Sequence, residues 1–186
     1  MASKTIDYAL TYFEKVNLDK IKGRPDYPQL HRLFQDLKAN ASKVPSELGG
    51  GLYGHLGLVM SAVAYTTISA DAYVRPAMPA PLVIPPGSTQ HQATRLREDW
   101  REAKDLFRET VDLENALKKQ LIEAIDDEYL QELRNPVTNS ITQPIAQVIT
   151  HLFDRYGEVT QATLDEALHK VKNMNLSLKI DSLSFH

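Results

Sequence analysis

ATRLREDWREAKDLFRET (residues 93–110) and the following LENALKKQLIEAIDDEYLQEL (residues 113–133) decide the fold of this chain. Apolar side chains recur there every three or four residues, which places them on one side of an α-helix. Only the mainly polar region from Thr110 to Asn115 interrupts the pattern, so we predict two consecutive helices or one long bent helix. The apolar residues of the first part are Ala93, Leu96, Trp100, Ala103 and Phe107. Those of the second part are Val111, Leu113, Leu117, Leu121 and Ile125.

Helical signals also precede this stretch. Ser88 or Thr89 offers an N-cap for the long helix. Pro28 suits a first helical turn, and the apolar spacing after it predicts a helix over residues 28–42. A short buried helix is predicted to begin near Ser61.

Three helices are predicted after the long one. Asp126 or Asp127 is predicted to cap a short helix. Pro144 opens a second helix with a broad apolar face, and Gly157 is predicted to end that helix in the left-handed conformation. Thr160 caps the last one.

No segment shows sustained period-two alternation, so the predicted fold class is all-α, a compact multi-helix body. Trp100, the only tryptophan, is expected in the core. The predicted core residues are Leu30, Leu33, Phe34, Leu37, Leu96, Trp100, Phe107, Leu117, Leu121, Leu130, Leu133, Ile149, Leu152, Phe153 and Tyr156.

Two segments lack helical character. RPAMPAPLVIPPG (residues 75–87) is too rich in proline for a helix or a sheet interior, and it predicts an extended, polyproline-like crossing held to the core by residues 82–84. A ligand for a proline-binding module is the alternative. Residues 1–24 carry apolar side chains without a helical period, which indicates an N-terminal arm that packs on another surface, and a neighbouring copy is our first choice.

Composition limits the function classes. The formal net charge of -3 argues against a module that works by neutralising phosphates. The chain has no cysteine, which excludes disulfides, thiol catalysis and cysteine-ligated zinc. No apolar run reaches the roughly 20 residues of a membrane span, and the first residues lack a signal-peptide core. We expect a soluble, cytoplasmic protein.

The glycine-rich GGGLYGHLG (residues 49–57) is the first candidate for chemistry. It lacks the Lys-Ser/Thr of a P-loop and the preceding strand of a dinucleotide site. We therefore interpret it as a loop whose glycines permit positive φ or close chain approach, and we expect no cofactor.

The other candidates do not form a catalytic pattern. No two histidines have the i, i+4 spacing of a helical zinc site, and no nucleophile elbow is present. Acids at a helix junction are ordinary capping residues. We therefore expect no catalytic or metal residue and no enzyme activity. The acids concerned are Glu123, Asp126, Asp127 and Glu128. The histidines are His31, His55, His91, His151, His169 and His186.

Three stretches together resemble the Gag-like capsid region of Ty1/Copia-type LTR retrotransposon polyproteins, especially the lineage of diatoms and other marine eukaryotes. They are LKANASKVPSELGGGLYGHLGLVM (37–60), PLVIPPGSTQHQATRLRE (81–98) and residues 116–166, from ALKKQLIEAIDDEYLQEL to the end of DRYGEVTQATLDE. The resemblance is colinear over about residues 25–175. It implies an all-α structural protein that associates with itself into virus-like particles enclosing the RNA of the element.

The family's zinc knuckle and aspartic protease triplet are both missing here. The resemblance therefore implies that RNA is bound through regions outside this chain and that the partner is the protein itself. It divides the chain into an N-terminal arm (1–24), a helical capsid-like domain (25–175) and a C-terminal tail (176–186). The alternative is a domesticated helical adaptor domain that binds another protein. A third interpretation, a small-molecule enzyme built on the glycine-rich loop, ranks below both.

Overall fold

The computed structural model describes residues 6–158. Within this range the chain is helical and has no strand, and Ile21 and Ile125 form an isolated parallel bridge. This confirms the predicted all-α class for the described residues. The helix predicted after Thr160 and the tail 176–186 lie outside them. The α-helices are α1 (Tyr8–Thr11), α2 (Tyr27–Lys43), α3 (Ala62–Thr66), α4 (Gln90–Glu123) and α5 (Ile145–Tyr156). Single 3-10 turns span Leu48–Gly50, Leu56–Leu58, Asp127–Tyr129 and Gln131–Leu133.

The helices begin where the sequence supplies caps. At α2, the Asp26 side chain accepts a hydrogen bond from the Gln29 amide, and the Gln29 side chain accepts one from the Asp26 amide. Thr89 and Gln92 form the same capping box at the start of α4. Each box satisfies two amides that a helix start would leave unpaired.

α4 is one continuous helix of 34 residues, about 50 Å long at 1.5 Å per residue. The polar residues near its middle do not interrupt it because their side chains find partners. The Thr110 hydroxyl donates to the carbonyl oxygen of Leu106 at 2.8 Å, and the Glu114 carboxylate accepts the amide of Ile145 at 2.9 Å. Of the two alternatives, a single long helix is therefore the one observed.

Gly157 differs from the prediction at the end of α5. Its φ of -85° is not left-handed, and its amide donates to the carbonyl oxygen of Phe153 at 2.8 Å, so it completes the last helical turn. A Cβ there would lie 2.5 Å from that same oxygen. Glycine is therefore required for close approach rather than for a left-handed conformation.

The core forms where α2, α5 and the C-terminal part of α4 pack together. Phe34 and Tyr27 of α2 both meet the ring of Phe153 edge-on, with centroids 6.0 and 5.9 Å apart. Of the predicted core residues, the buried ones are Leu30, Leu33, Leu37, Leu117, Leu121, Leu130, Leu133, Ile149 and Leu152. Those partly buried and packed against the core are Phe34, Phe153 and Tyr156.

Three predicted core residues lie elsewhere. Leu96, Trp100 and Phe107 are only partly buried and lie outside the core cluster. The expectation of a core position is wrong for these three residues. The reason is that the core cluster meets α4 only from Leu113 onward, while the apolar period of the helix continues towards its N-terminus.

The N-terminal segment is part of the same body. Its side chains Tyr8, Phe13, Leu18 and Ile21 are buried in the core, and the Ile21 amide donates to the carbonyl oxygen of Ala124 at 2.8 Å. Our interpretation of these side chains as a contact for a neighbouring copy is therefore wrong. Their irregular spacing reflects an irregular chain that is laid across helices, with only one short helical turn of its own.

Buried amides fasten this segment. Asn40 lies on α2 and has no exposed surface. Its side chain accepts a hydrogen bond from the Lys15 amide at 3.0 Å and donates one to the carbonyl oxygen of Lys15 at 2.8 Å. Gln120 of α4 donates to the carbonyl oxygens of Lys15 and Val16 and accepts from Asn40 at 3.0 Å. The segment is thus clamped between α2 and α4 by bonds that satisfy each buried amide.

Candidate functional site

The glycine-rich loop is packed against its own neighbours. A Cβ on Gly49 would lie 2.4 Å from the hydroxyl of Tyr65, and one on Gly57 would lie 2.1 Å from the Tyr73 ring. Beside Gly50 lies the carboxylate of Asp71, which would repel a phosphate. Gly49, Gly50, Gly51 and Gly54 all have positive φ. The structural interpretation of this loop is confirmed, because its glycines serve close approach and turns.

His55 is the buried histidine of that loop. Its Nδ1 lies 2.8 Å from the Tyr73 hydroxyl oxygen, and burial lowers the pKa of His55 from 6.5 to about 4. Burial also raises the pKa of Tyr73. Both groups are therefore neutral at pH 7, and they hold the loop to the following segment.

The pKa of His55 predicts a pH dependence of stability. The unfolded chain binds a proton at this imidazole below about pH 6.5, whereas the folded chain binds it only below about pH 4. Its contribution to stability is therefore present above about pH 6.5 and is lost as the pH falls towards 4. We expect His55→Asn to lose less stability than wild type across this window, measured by urea unfolding at each pH. His91→Asn changes an exposed histidine and is the control, so its stability should change with pH as that of the wild type does. Equal pH slopes for all three proteins would contradict the prediction.

The predicted acid and histidine candidates are dispersed. Asp126 accepts the Gly23 amide at 3.1 Å, Asp127 pairs with Arg134, and Glu123 lies 3.8 Å from Lys119. His31 and His151 contact Gln35 and Glu132 respectively. Glu128 and His91 are exposed, while His169 and His186 lie outside the described residues. Among residues 6–158, no three His, Asp or Glu side chains lie close enough to hold a metal ion.

Glu114 forms a buried polar junction that sequence reasoning missed. Its side chain is 4% exposed, it pairs with both terminal nitrogens of Arg75, and it accepts the Ile145 amide at 2.9 Å. Burial lowers the pKa of the neighbouring Lys118. Since Arg75 precedes the prolines and Ile145 begins α5, this carboxylate joins three parts of the chain. Its oxygens are occupied by these partners, which is the arrangement of a structural group.

α4 divides at Thr110 into two unlike parts. We call residues 90–109 the outer half and residues 110–123 the inner half. The inner half buries Leu113, Leu117 and Leu121, whereas Ala93 is the only buried residue of the outer half. About 30 Å of helix therefore presents most of its surface to solvent. Exposure on this scale makes the outer half a candidate interaction surface.

A proline-rich strap covers one side of the outer half. We define the strap as residues 72–87, which form neither helix nor strand. The indole nitrogen of Trp100 donates to the carbonyl oxygen of Ala80 at 2.8 Å, which fixes the strap to the helix midway. Leu82 and Ile84 are half-buried, but Val83 is 74% exposed, so the expectation that residues 82–84 are all held to the core is wrong for Val83.

The uncovered surface of the outer half carries two rows of charge. Arg97, Arg101, Lys104 and Arg108 recur at intervals of four, three and four residues, which places them on one side of the helix as a basic ridge. Each is followed directly by an acid, and these acids form a parallel acidic ridge about 100° around the helix. The acidic ridge consists of Glu98, Glu102, Asp105 and Glu109.

The ridge charges have few partners within the protein. All are exposed except Lys104, whose ammonium lies 4.6 Å from the centre of the Trp100 ring. Among residues 6–158, no ion pair within 4.0 Å involves a ridge side chain, and the outer half holds only the pair Arg95–Asp99. From the sequence we assigned no role to these charges. The repeated spacing of charges of one sign was the signal that could have identified the two ridges.

Comparison of the chain with family models, curated proteins and solved structures finds no match. No helix within residues 6–158 combines the length and the apolar character needed to cross a bilayer.

Proposed function

We propose that this protein is a structural, Gag-like capsid subunit whose copies associate into particles that enclose retrotransposon RNA. The observation that carries the proposal is the outer half of α4, in which only Ala93 is buried. A capsid subunit needs a rigid body and surfaces that meet other copies, and repeated weak contacts suffice when many of them close an assembly.

The rest of the molecule supports a structural role. The buried polar side chains Glu114, Asn40 and His55 are bonded to other parts of the chain. Such bonds hold elements in place, and none of the three side chains is left free to act on a substrate. The resemblance over residues 25–175 supports the same role. We propose that the protein acts in the cytoplasm and that RNA is bound by regions outside this chain.

A domesticated helical adaptor is the second candidate. Exposed apolar side chains on or beside the strap favour it, since Val74, Met78 and Val83 are 70%, 58% and 74% exposed. A proline-rich segment with projecting apolar side chains suits a partner that binds extended peptides.

Self-assembly separates the two candidates. We expect sedimentation velocity of the nuclease-treated protein to show growth from monomer to large species as concentration rises, with particles or sheets in negative-stain electron microscopy. The same series with added RNA controls for assembly driven by nucleic acid. A protein that stays monomeric at the highest concentration with and without RNA would contradict the capsid role and favour the adaptor.

A further inference from the structure

We infer that the outer half of α4 binds the outer half of another copy head to tail, with the basic ridge of one copy against the acidic ridge of the next. This inference rests on the proposed self-association and specifies the surface that performs it. Its occupant is a second copy of this chain.

The charge pattern supports a copy as the partner. The two ridges match in number and spacing, since Arg97, Arg101, Lys104 and Arg108 are each followed by an acid. A second outer half therefore offers an acidic row of the same length, about 16 Å, as the basic row. Nucleic acid would use only the basic ridge and would be repelled by the adjacent acidic one.

Symmetry decides the arrangement. If two outer halves pair antiparallel about a two-fold axis that passes between them, each ridge faces its own copy, and like charges repel. Opposite ridges face each other in two parallel arrangements. A closed two-fold pair, with its axis along the helices, would engage both ridges of both copies and stop at two, whereas a head-to-tail contact uses one ridge of each copy, leaves one free ridge at each end and extends to a ring or a filament. Only the head-to-tail contact gives the growth that the proposed particles need.

Charge-reversal variants test this directly. The first variant carries Arg97→Glu, Arg101→Glu and Arg108→Glu, and the second carries Glu98→Lys, Glu102→Lys and Glu109→Lys. Lys104 is kept because it lies over the Trp100 ring. These six positions are exposed, so circular dichroism should show unchanged helix content in both. A third variant that combines all six changes restores complementarity with the polarity reversed.

Sedimentation velocity provides the readout. Each single-ridge variant should need at least about a tenfold higher concentration to associate, because like charges then face each other. Their equimolar mixture and the six-fold variant should associate at the wild-type concentration. High salt should weaken association of the wild type.

Other outcomes overturn the inference. Unchanged association of both single-ridge variants would place the contact on another surface while leaving the proposed function intact. A mixture that stays dissociated, or a closed dimer that does not grow, would exclude the head-to-tail arrangement. If the first variant loses RNA binding while its self-association is unchanged, the basic ridge would be assigned to nucleic acid. A wild type that is monomeric throughout would remove the proposed function itself.

Discussion

Deletion of residues 1–22 is expected to abolish the cooperative fold. The deletion removes Tyr8, Phe13, Leu18 and Ile21 from the core. Each buried side chain of this kind contributes about 1.5–3 kcal/mol, so the loss approaches the whole stability of a typical domain, about 5–15 kcal/mol. The deletion also removes both backbone partners of Asn40, at Lys15, and leaves its buried side-chain oxygen without the hydrogen bond from the Lys15 amide.

Urea unfolding followed by circular dichroism checks this result. The truncated protein should show reduced helix content and no sigmoidal transition. Leu10→Ala is the matched control, because Leu10 lies in the same segment but is 76% exposed, and its transition should match wild type. A truncated protein with a wild-type unfolding transition would contradict the prediction, because the segment would then contribute little to the stability of the fold.

Leu117→Ala is expected to lower the free energy of unfolding by about 2–5 kcal/mol. Leu117 has no exposed surface and belongs to the core cluster, so truncation to alanine leaves a cavity. Leu106→Ala changes the same residue type on the same helix at a position that is 39% exposed. It should cost much less, within about 1 kcal/mol of wild type, because water already reaches the removed atoms.

The two leucines together test the division of α4 at Thr110. Chemical unfolding with a common slope gives both changes in free energy on one scale. Equal costs at the two positions would mean that the outer half is packed as tightly as the inner half, and the candidate interaction surface would then be lost.

Local signals explain most of the fold that could be predicted. A helix was predicted over residues 28–42, and α2 is observed at Tyr27–Lys43. The prediction succeeds because the effects of Pro28 and of the apolar spacing both act within a few residues. The cap at Thr89, the N-cap at Ser61 and the start of α5 after Pro144 follow from the same local chemistry.

The errors arise where distant parts of the chain decide the outcome. Periodicity identifies which side of α4 is apolar, but it does not say which stretch of that side another element covers. Leu96 and Leu117 therefore carry the same signal, although only Leu117 reaches the core. The clamp at Lys15 joins residues 105 positions apart in the chain, and no local pattern reports such a bond.

The candidate surface was partly visible in the sequence. The alternation of Arg97–Glu98 with Arg101–Glu102 is a periodic feature that needs only the helix geometry to separate into two ridges. What the sequence did not show is that both ridges face solvent. That depends on where the strap lies, and its position is set by the bonds of Trp100 and Arg75 to distant partners.

The clamp of the N-terminal segment also bears on how the chain reaches its fold. Lys15 and Val16 bond to Gln120, so during synthesis this segment must wait for α4 before its buried backbone groups are satisfied. Contacts between distant residues slow folding because a long loop must close before they form. This helical protein should therefore fold more slowly than a bundle with local contacts, and its N-terminal apolar side chains stay open to chaperones during synthesis.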